Sequence, residues 1–116
     1  MCPSAPSDPL RDLARSSSDF YARFKVSPRL PDAADHFMEE VREFVEAVTL
    51  YADKVQIAEE AADVLVTLLG TCYAAGLPTE DLVEGIYAVI AKNDSKTHET
   101  HEYRDRKIRP RQVLKE

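Results

Sequence analysis

Apolar side chains recur every three or four positions along most of this chain, and that period predicts helices. A first helix is predicted over about residues 9–24, with Ser7 as its N-cap. Three consecutive serines at 16–18 weaken the helical pattern, so a break at this point stays open. Pro28 and Pro31 then predict a loop.

A second helix is predicted over about residues 32–52, with Asp32 as its cap. Its apolar positions form one stripe, while Glu39 and Glu46 fall nearer solvent. A short polar turn at 53–54 leads into the next helix, so the two helices should pack antiparallel. The stripe consists of Ala33, Phe37, Val41, Phe44 and Val48.

The third helix is predicted over about residues 55–75, and Gly76 with Pro78 beyond it supplies the expected stop. This helix is apolar nearly all round, which is typical of a buried helix. Asp63 is the single charged residue between positions 61 and 79, so we expect it to be buried too. A buried carboxylate needs a partner or a metal ion.

A fourth helix is predicted to start at Thr79, a suitable cap, and Asn93 and Lys96 continue the line of its apolar stripe. No strand pattern is strong, and residues 97–116 are predicted to form an irregular basic tail. The sequence thus predicts an all-α protein, a four-helix antiparallel bundle forming a single domain over residues 1–116. The stripe consists of Leu82, Ile86, Val89 and Ile90.

The amino-acid composition and the net charge limit the classes of protein to which this chain can belong. The chain has 116 residues, 44% apolar and 31% charged, as expected for one soluble globular domain. Its formal net charge of −6 argues against nucleic-acid binding. The most apolar stretch, residues 61–77, is shorter than a membrane span, and the N-terminus has no apolar signal region. Cys2 and Cys72 suggest no disulfide framework, so we expect a reduced, cytoplasmic protein without membrane partners.

Two matched pairs of carboxylates are the strongest indication of chemistry. Glu40 and Glu43 are three residues apart on the second predicted helix, as are Glu60 and Asp63 on the third. Residues three apart share a helix face, so each pair points one way. Packing these helices together concentrates four negative charges, which requires a cation. Every candidate ligand is an oxygen, which favours a hard divalent ion such as Mg²⁺ with phosphate as its target.

Several features have plainer interpretations, which stay open. A Glu-x-x-Glu pair alone usually marks a solvated helix face. Asn93 and Lys96 either reach phosphates or belong to a fraying helix end, and Tyr103 either contacts substrate or lies on the surface. The histidines at 36, 98 and 101 fit no zinc motif and are expected to be exposed. Three aromatic residues of the first helix are expected in the core, with a substrate pocket as the alternative: Phe20, Tyr21 and Phe24.

The sequence resembles the MazG-like superfamily of all-α nucleoside triphosphate pyrophosphatases over about residues 18–112. The family pattern is Glu-Glu-x-x-Glu, a spacer, then Glu-x-x-Asp, matched here at 39–43 and, after a 16-residue spacer, at 60–63. The chain is most similar to the phosphoribosyl-ATP pyrophosphohydrolase-like branch, whose Asn-x-x-Lys element is matched at 93–96. The basic Gly-Lys-x-x-Lys-Pro-like tail of that branch is matched loosely, with Arg106 in place of the usual glycine.

The resemblance implies a homodimer or homotetramer whose sites are often completed by a neighbouring subunit. It implies cleavage of a nucleoside triphosphate between the α and β phosphates, with Mg²⁺ or Mn²⁺, giving the monophosphate and pyrophosphate. It assigns Asn93 and Lys96 to the substrate, and we add Tyr103 and Lys107 as candidate contacts. Glu39 would act as a base or outer ligand. The implied metal ligands are Glu40, Glu43, Glu60 and Asp63.

We therefore expect a metal-dependent nucleotide pyrophosphohydrolase, with removal of non-standard or surplus nucleotides as a candidate role. Two alternatives remain. One is the phosphoribosyl-ATP pyrophosphohydrolase of histidine synthesis. The other is a catalytically silent helical module that binds a nucleotide or a protein partner.

Overall fold

The computed structural model describes residues 7–50 and 52–112. The predictions for Cys2, the first six residues, the last four residues and Tyr51 at the end of the second helix therefore lie outside the described residues. Four helices dominate the described chain and confirm the all-α class. The elements are α1 (Pro9–Phe24), α2 (Leu30–Thr49), α3 (Lys54–Ala74), α4 (Thr79–Asp94), β1 (His101–Arg104) and β2 (Lys107–Pro110).

Local capping fixes where α1 begins. The Asp8 carboxylate, not the predicted Ser7, accepts a hydrogen bond from the backbone N–H of Arg11. The Arg11 guanidinium forms an ion pair with Asp8 and donates to both carboxylate oxygens of Glu80, at 2.8 and 2.9 Å. The helix runs unbroken through the serines at 16–18 and ends at Lys25 in the left-handed conformation (φ 56°).

The α2–α3 hairpin is the main packing unit. Helix α2 starts two residues before the predicted cap Asp32, because Pro31 fits the first turn of a helix. Asp53 caps α3, accepting from the backbone N–H of Gln56 at 2.9 Å. The two helices pack along each other, and the Thr71 hydroxyl of α3 lies 3.2 Å from the carbonyl oxygen of Ala33 in α2.

Burial in this part of the chain is shallow. Ala33, Ala47 and Leu69 are the buried apolar residues among those described, with Thr67 the buried polar one. The expectation that α3 is buried all round is wrong for this chain on its own, since Val55 remains 69% exposed. The physical reason is that α2 and α1 cover only part of its circumference. Several further apolar side chains stay exposed, namely Phe20, Phe24, Val48, Leu65 and Tyr73.

The core expectation for the α1 aromatics is thus wrong for Phe20 and Phe24, whereas Tyr21 is half-buried against α3. Phe20 contacts both neighbouring rings of its own helix, Tyr21 edge-on and Phe24 at a tilt. Because these contacts lie along one helix, they order the aromatic row without burying it. The row is therefore a surface feature of α1 in the chain considered alone.

The chain divides into two compact units, one ending at Asp81 and one beginning at Leu82. The second unit contains most of α4 and an antiparallel β-hairpin, so the prediction of an irregular tail is wrong for residues 101–110. Tyr103 pairs with Ile108 and Arg104 with Lys107, leaving a two-residue turn. Both turn residues, Asp105 and Arg106, have positive φ (53° and 66°), as a tight hairpin turn requires.

No single helix among the described residues is long and apolar enough to cross a membrane. Helices α3 and α4 meet the length and composition criteria for a membrane span only when they are counted together as one bent pair.

Candidate active site

The α2–α3 hairpin brings carboxylates from both helices together. Ligand oxygens of Glu40, from α2, and of Glu60 and Asp63, from α3, all lie within 4.8 Å of one another. The i, i+3 spacing on α3 puts its two acids on one face, and the packing of α2 sets Glu40 opposite them. Three of the four predicted metal ligands therefore converge.

The fourth predicted ligand stands at the edge of this cluster. Glu43 is exposed and lies outside the convergent trio, although its negative charge raises the pKa of the Glu40 carboxyl. Glu39 is also exposed and falls outside the trio. The structure thus separates an inner group of three acids from two outer ones on the same helix.

The surroundings of the Glu40 carboxyl shift its pKa. Its pKa lies above the ordinary value, first because of partial burial and then because of Glu43 and Asp63. The hydrogen bond with His36 lowers the pKa of Glu40 and so opposes these effects. A cation placed among the carboxylates would relieve the same repulsion.

Two carboxylate oxygens of the trio are buried without a partner. Glu40 Oε2 and Glu60 Oε2 accept no hydrogen bond from any of the residues that the structure describes. Burying a carboxylate oxygen without a partner costs free energy, so a cation bound at these two atoms would be favourable. Because the donor set is entirely oxygen, the residues present fit Mg²⁺ or Mn²⁺ and not a softer metal.

Asp63 departs from the sequence-based expectation. It is exposed, although it was expected to be buried, because Glu40 of α2 approaches its carboxylate without covering it. The trio therefore has two half-buried members and one open one, Asp63. An open edge leaves room for ligands from substrate or solvent beside the protein oxygens.

The predicted substrate contacts belong to the second unit. Asn93 lies in the last turn of α4 and accepts a hydrogen bond at 3.1 Å from the ammonium group of Lys96, and both line a cavity of about 460 Å³. His98 and His101 line the same cavity. Of the other two candidates, Tyr103 (72% exposed) and Lys107 lie on the hairpin surface outside it. Sequence reasoning thus located two of the lining residues and missed the histidines.

The histidines behave partly as expected. His36 and His98 are exposed, whereas His101 is half-buried and its Nδ1 lies 2.7 Å from the Thr100 hydroxyl. His36 was not singled out for chemistry, yet its Nε2 lies 3.2 Å from Glu40 Oε1. The i, i+4 spacing from His36 to Glu40 was the available signal.

A comparison with protein-family models places the chain. The model described as phosphoribosyl-ATP pyrophosphohydrolase matches residues 21–89, more than half of the chain. The protein therefore belongs to the phosphoribosyl-ATP pyrophosphohydrolase family, within the MazG-like superfamily of all-α nucleoside triphosphate pyrophosphatases. Membership makes it a hydrolase of the pyrophosphohydrolase class. No curated protein and no solved structure matches the chain.

Proposed function

We propose that this protein is a Mg²⁺-dependent nucleotide pyrophosphohydrolase that cleaves a (deoxy)nucleoside triphosphate between the α and β phosphates. The products are the nucleoside monophosphate and pyrophosphate. The observation that carries the proposal is the convergence of Glu40, Glu60 and Asp63 within 4.8 Å. Membership of a pyrophosphohydrolase family supports it independently.

The acids differ in how they would hold the metal ion. Glu40 and Glu60 offer the two buried oxygens that have no partner among the described residues, and exposed Asp63 completes the trio. Glu43 is the fourth ligand, from the edge of the trio, and Glu39 acts from solvent as a base or outer ligand. Mg²⁺ or Mn²⁺, when bound, supplies charge neutralisation for phosphate and acidifies a coordinated water.

Residues of the second unit recognise the polyphosphate. Lys96 supplies a cation and Asn93 an amide, and their mutual hydrogen bond fixes both side chains. Lys107 and Tyr103 extend this surface along the hairpin. The charge that leaves with pyrophosphate is thereby stabilised by fixed cations and hydrogen-bond donors.

The active form is a homodimer or homotetramer in the cytoplasm, acting without nucleic acid or membrane. Exposed apolar side chains support assembly, because monomeric proteins seldom leave so many large ones in water. Among the described residues, six large apolar side chains are each more than 60% exposed: Phe24, Leu50, Val55, Tyr73, Tyr87 and Tyr103. A neighbouring subunit then covers the open sides of α3 and completes each site.

Two other functions compete with this proposal. The matching family model is described as phosphoribosyl-ATP pyrophosphohydrolase, which supports that substrate equally well, and the bond cleaved is of the same kind. A silent binding module is the other. The retention of Glu40, Glu60 and Asp63 as a convergent trio argues against it, because clustered acids are unfavourable without an ion.

Pyrophosphate release decides among these functions. The full chain is incubated with canonical and modified (deoxy)nucleoside triphosphates and with phosphoribosyl-ATP, in Mg²⁺, Mn²⁺ or EDTA. We expect metal-dependent release from one or a few triphosphates, with the matching monophosphate. Release from phosphoribosyl-ATP alone assigns the histidine-pathway function. Silence across the panel, with tight nucleotide binding, overturns the enzyme proposal in favour of the binding module.

A further inference from the structure

The first unit contains a cavity of about 560 Å³ that the proposed chemistry does not use. One wall is α1, from Arg11 to Ala22, and the other is the C-terminal half of α3. The segment after α1 and the start of α4 close its ends. Its volume lies within the range of about 300–1,000 Å³ that is typical of small-molecule pockets.

The cations that line this cavity are already paired. Arg11 is held by Asp8 and Glu80, and the Arg15 guanidinium lies 2.7 Å from the carboxylate of Asp12. A phosphate group would have to compete with these carboxylates for the guanidinium groups. The cavity is therefore poorly suited to the charged end of a nucleotide.

The remaining lining suits a neutral, partly polar group. Leu69, Val26 and Pro28 supply apolar contact, and hydroxyl groups of serine, threonine and tyrosine supply hydrogen bonds. The Tyr21 hydroxyl has no hydrogen-bond partner among the residues described and lies against Gly70. Apolar walls with a few polar groups are what a nucleobase and its sugar require.

The cavity and the carboxylate trio lie along the same helix. Gly70 lines the cavity and follows Asp63 by seven residues, which returns to the same helix face two turns later. At a rise of about 1.5 Å per residue, the two positions are roughly 10 Å apart along α3. Both belong to the unit that ends at Asp81.

We infer that this cavity receives the nucleoside part of the substrate while its phosphates lie at Glu40, Glu60 and Asp63. The inference rests on the proposed function and adds the residues that select the base. The Tyr21 hydroxyl forms a hydrogen bond with a polar edge of the nucleoside. Gly70 keeps the floor of the cavity open because it has no side chain.

The test uses two substitutions at Gly70. A Cβ atom built there has Tyr21 Oη as its nearest neighbour at 3.8 Å, an ordinary contact, so Gly70→Ala fits without displacing anything. Gly70→Phe projects a ring into the cavity and blocks it. Tyr21→Phe is a third variant that removes only the hydroxyl. Since alanine and phenylalanine both favour a helix more than glycine does, the matched pair isolates the space in the cavity.

Binding of the nucleoside monophosphates that correspond to the tested triphosphates is measured in EDTA, and KM and kcat are measured with Mg²⁺ for any triphosphate that is hydrolysed. We expect Gly70→Phe to weaken monophosphate binding and to raise KM, each by roughly tenfold or more, and Gly70→Ala, which adds only a methyl group, to change both by less. Tyr21→Phe should weaken binding by roughly three- to tenfold with little change in kcat.

The inference is overturned if the wild type is active and Tyr21→Phe and a folded Gly70→Phe both bind and turn over the nucleotide as it does. It is also overturned if Gly70→Phe changes only the molecular mass in solution, because a second copy then fills the cavity. An inactive wild type that still loses monophosphate binding in Gly70→Phe contradicts the proposed function but supports the cavity assignment.

Discussion

His36 precedes Glu40 by one turn of α2, and its Nε2 atom lies 3.2 Å from Oε1 of Glu40. This contact occupies one carboxylate oxygen and leaves Oε2, which has no partner among the described residues, for an ion. His36 is itself 52% exposed, so its position follows from helical spacing and not from burial. The pair therefore orients Glu40 in the manner of an outer partner of a metal ligand.

Removing that partner should weaken metal binding. We expect His36→Ala to lower Mn²⁺ affinity by roughly 10- to 100-fold, the range typical of outer-shell partners. A Mn²⁺ titration followed by electron paramagnetic resonance, without nucleotide, checks this. His98→Ala is the matched control, since that exposed histidine lies outside the trio. Equal affinities for the two variants would show that Glu40 needs no orienting partner.

Asp63 is the member of the trio whose loss should stop catalysis without harming the fold. Asp63→Asn replaces an exposed carboxylate by an amide of the same shape. We therefore expect pyrophosphate release to vanish while the helical circular dichroism signal stays at its wild-type value. Glu59→Gln alters an exposed neighbour on α3 and should keep full activity. Retained activity in Asp63→Asn would refute the site assignment.

The raised pKa of Glu40 makes the metal-free protein pH-sensitive. Above the ordinary glutamate value of 4.5, the folded chain retains a proton at Glu40 that the unfolded chain has lost. The free energy of unfolding in EDTA should therefore fall as pH rises through this window. Glu40→Gln cannot ionise, so the variant should show a weaker fall and exceed the wild type in stability at neutral pH.

Urea unfolding in EDTA between pH 4 and 8 measures that slope. Glu46→Gln is the control, because it removes the same charge from an exposed position of α2. Excess Mg²⁺ should reverse the order, since an ion that binds the folded state stabilises the wild type more than Glu40→Gln. Identical pH slopes for Glu40→Gln and Glu46→Gln would contradict the electrostatic account.

The hairpin turn offers a separate test. Arg106 has φ 66°, which costs a non-glycine residue about 1–2 kcal/mol, whereas glycine loses roughly 0.5–1 kcal/mol of extra entropy on folding. Arg106→Gly should therefore stabilise the turn by about 0.5–1 kcal/mol, seen as slower amide exchange in β1 and β2. Lys107→Gly, one residue later within β2, should speed exchange instead. Faster exchange in Arg106→Gly would contradict the turn assignment.

Much of the fold is predictable because its signals are local. Helix ends follow from caps and prolines within a few residues, so the bounds of α1 and α3 agree closely with the sequence. The hairpin was missed because its strands are four residues long and its turn, Asp105-Arg106, lacks the usual glycine. The cavity beside Gly70 was missed because it depends on how α1 lies against α3.

The sequence by itself determined that four acids occur in two pairs, each on one helix face, because a 3.6-residue period fixes which side chains share a face. Only the tertiary structure decided that Glu40, Glu60 and Asp63 converge while Glu43 stands at the edge. It also decided that Asp63 is open to solvent. The physical reason is that the helical period decides which side chains share a face of one helix. Their burial, and which carboxylates come together, depend on the other helices that cover that face.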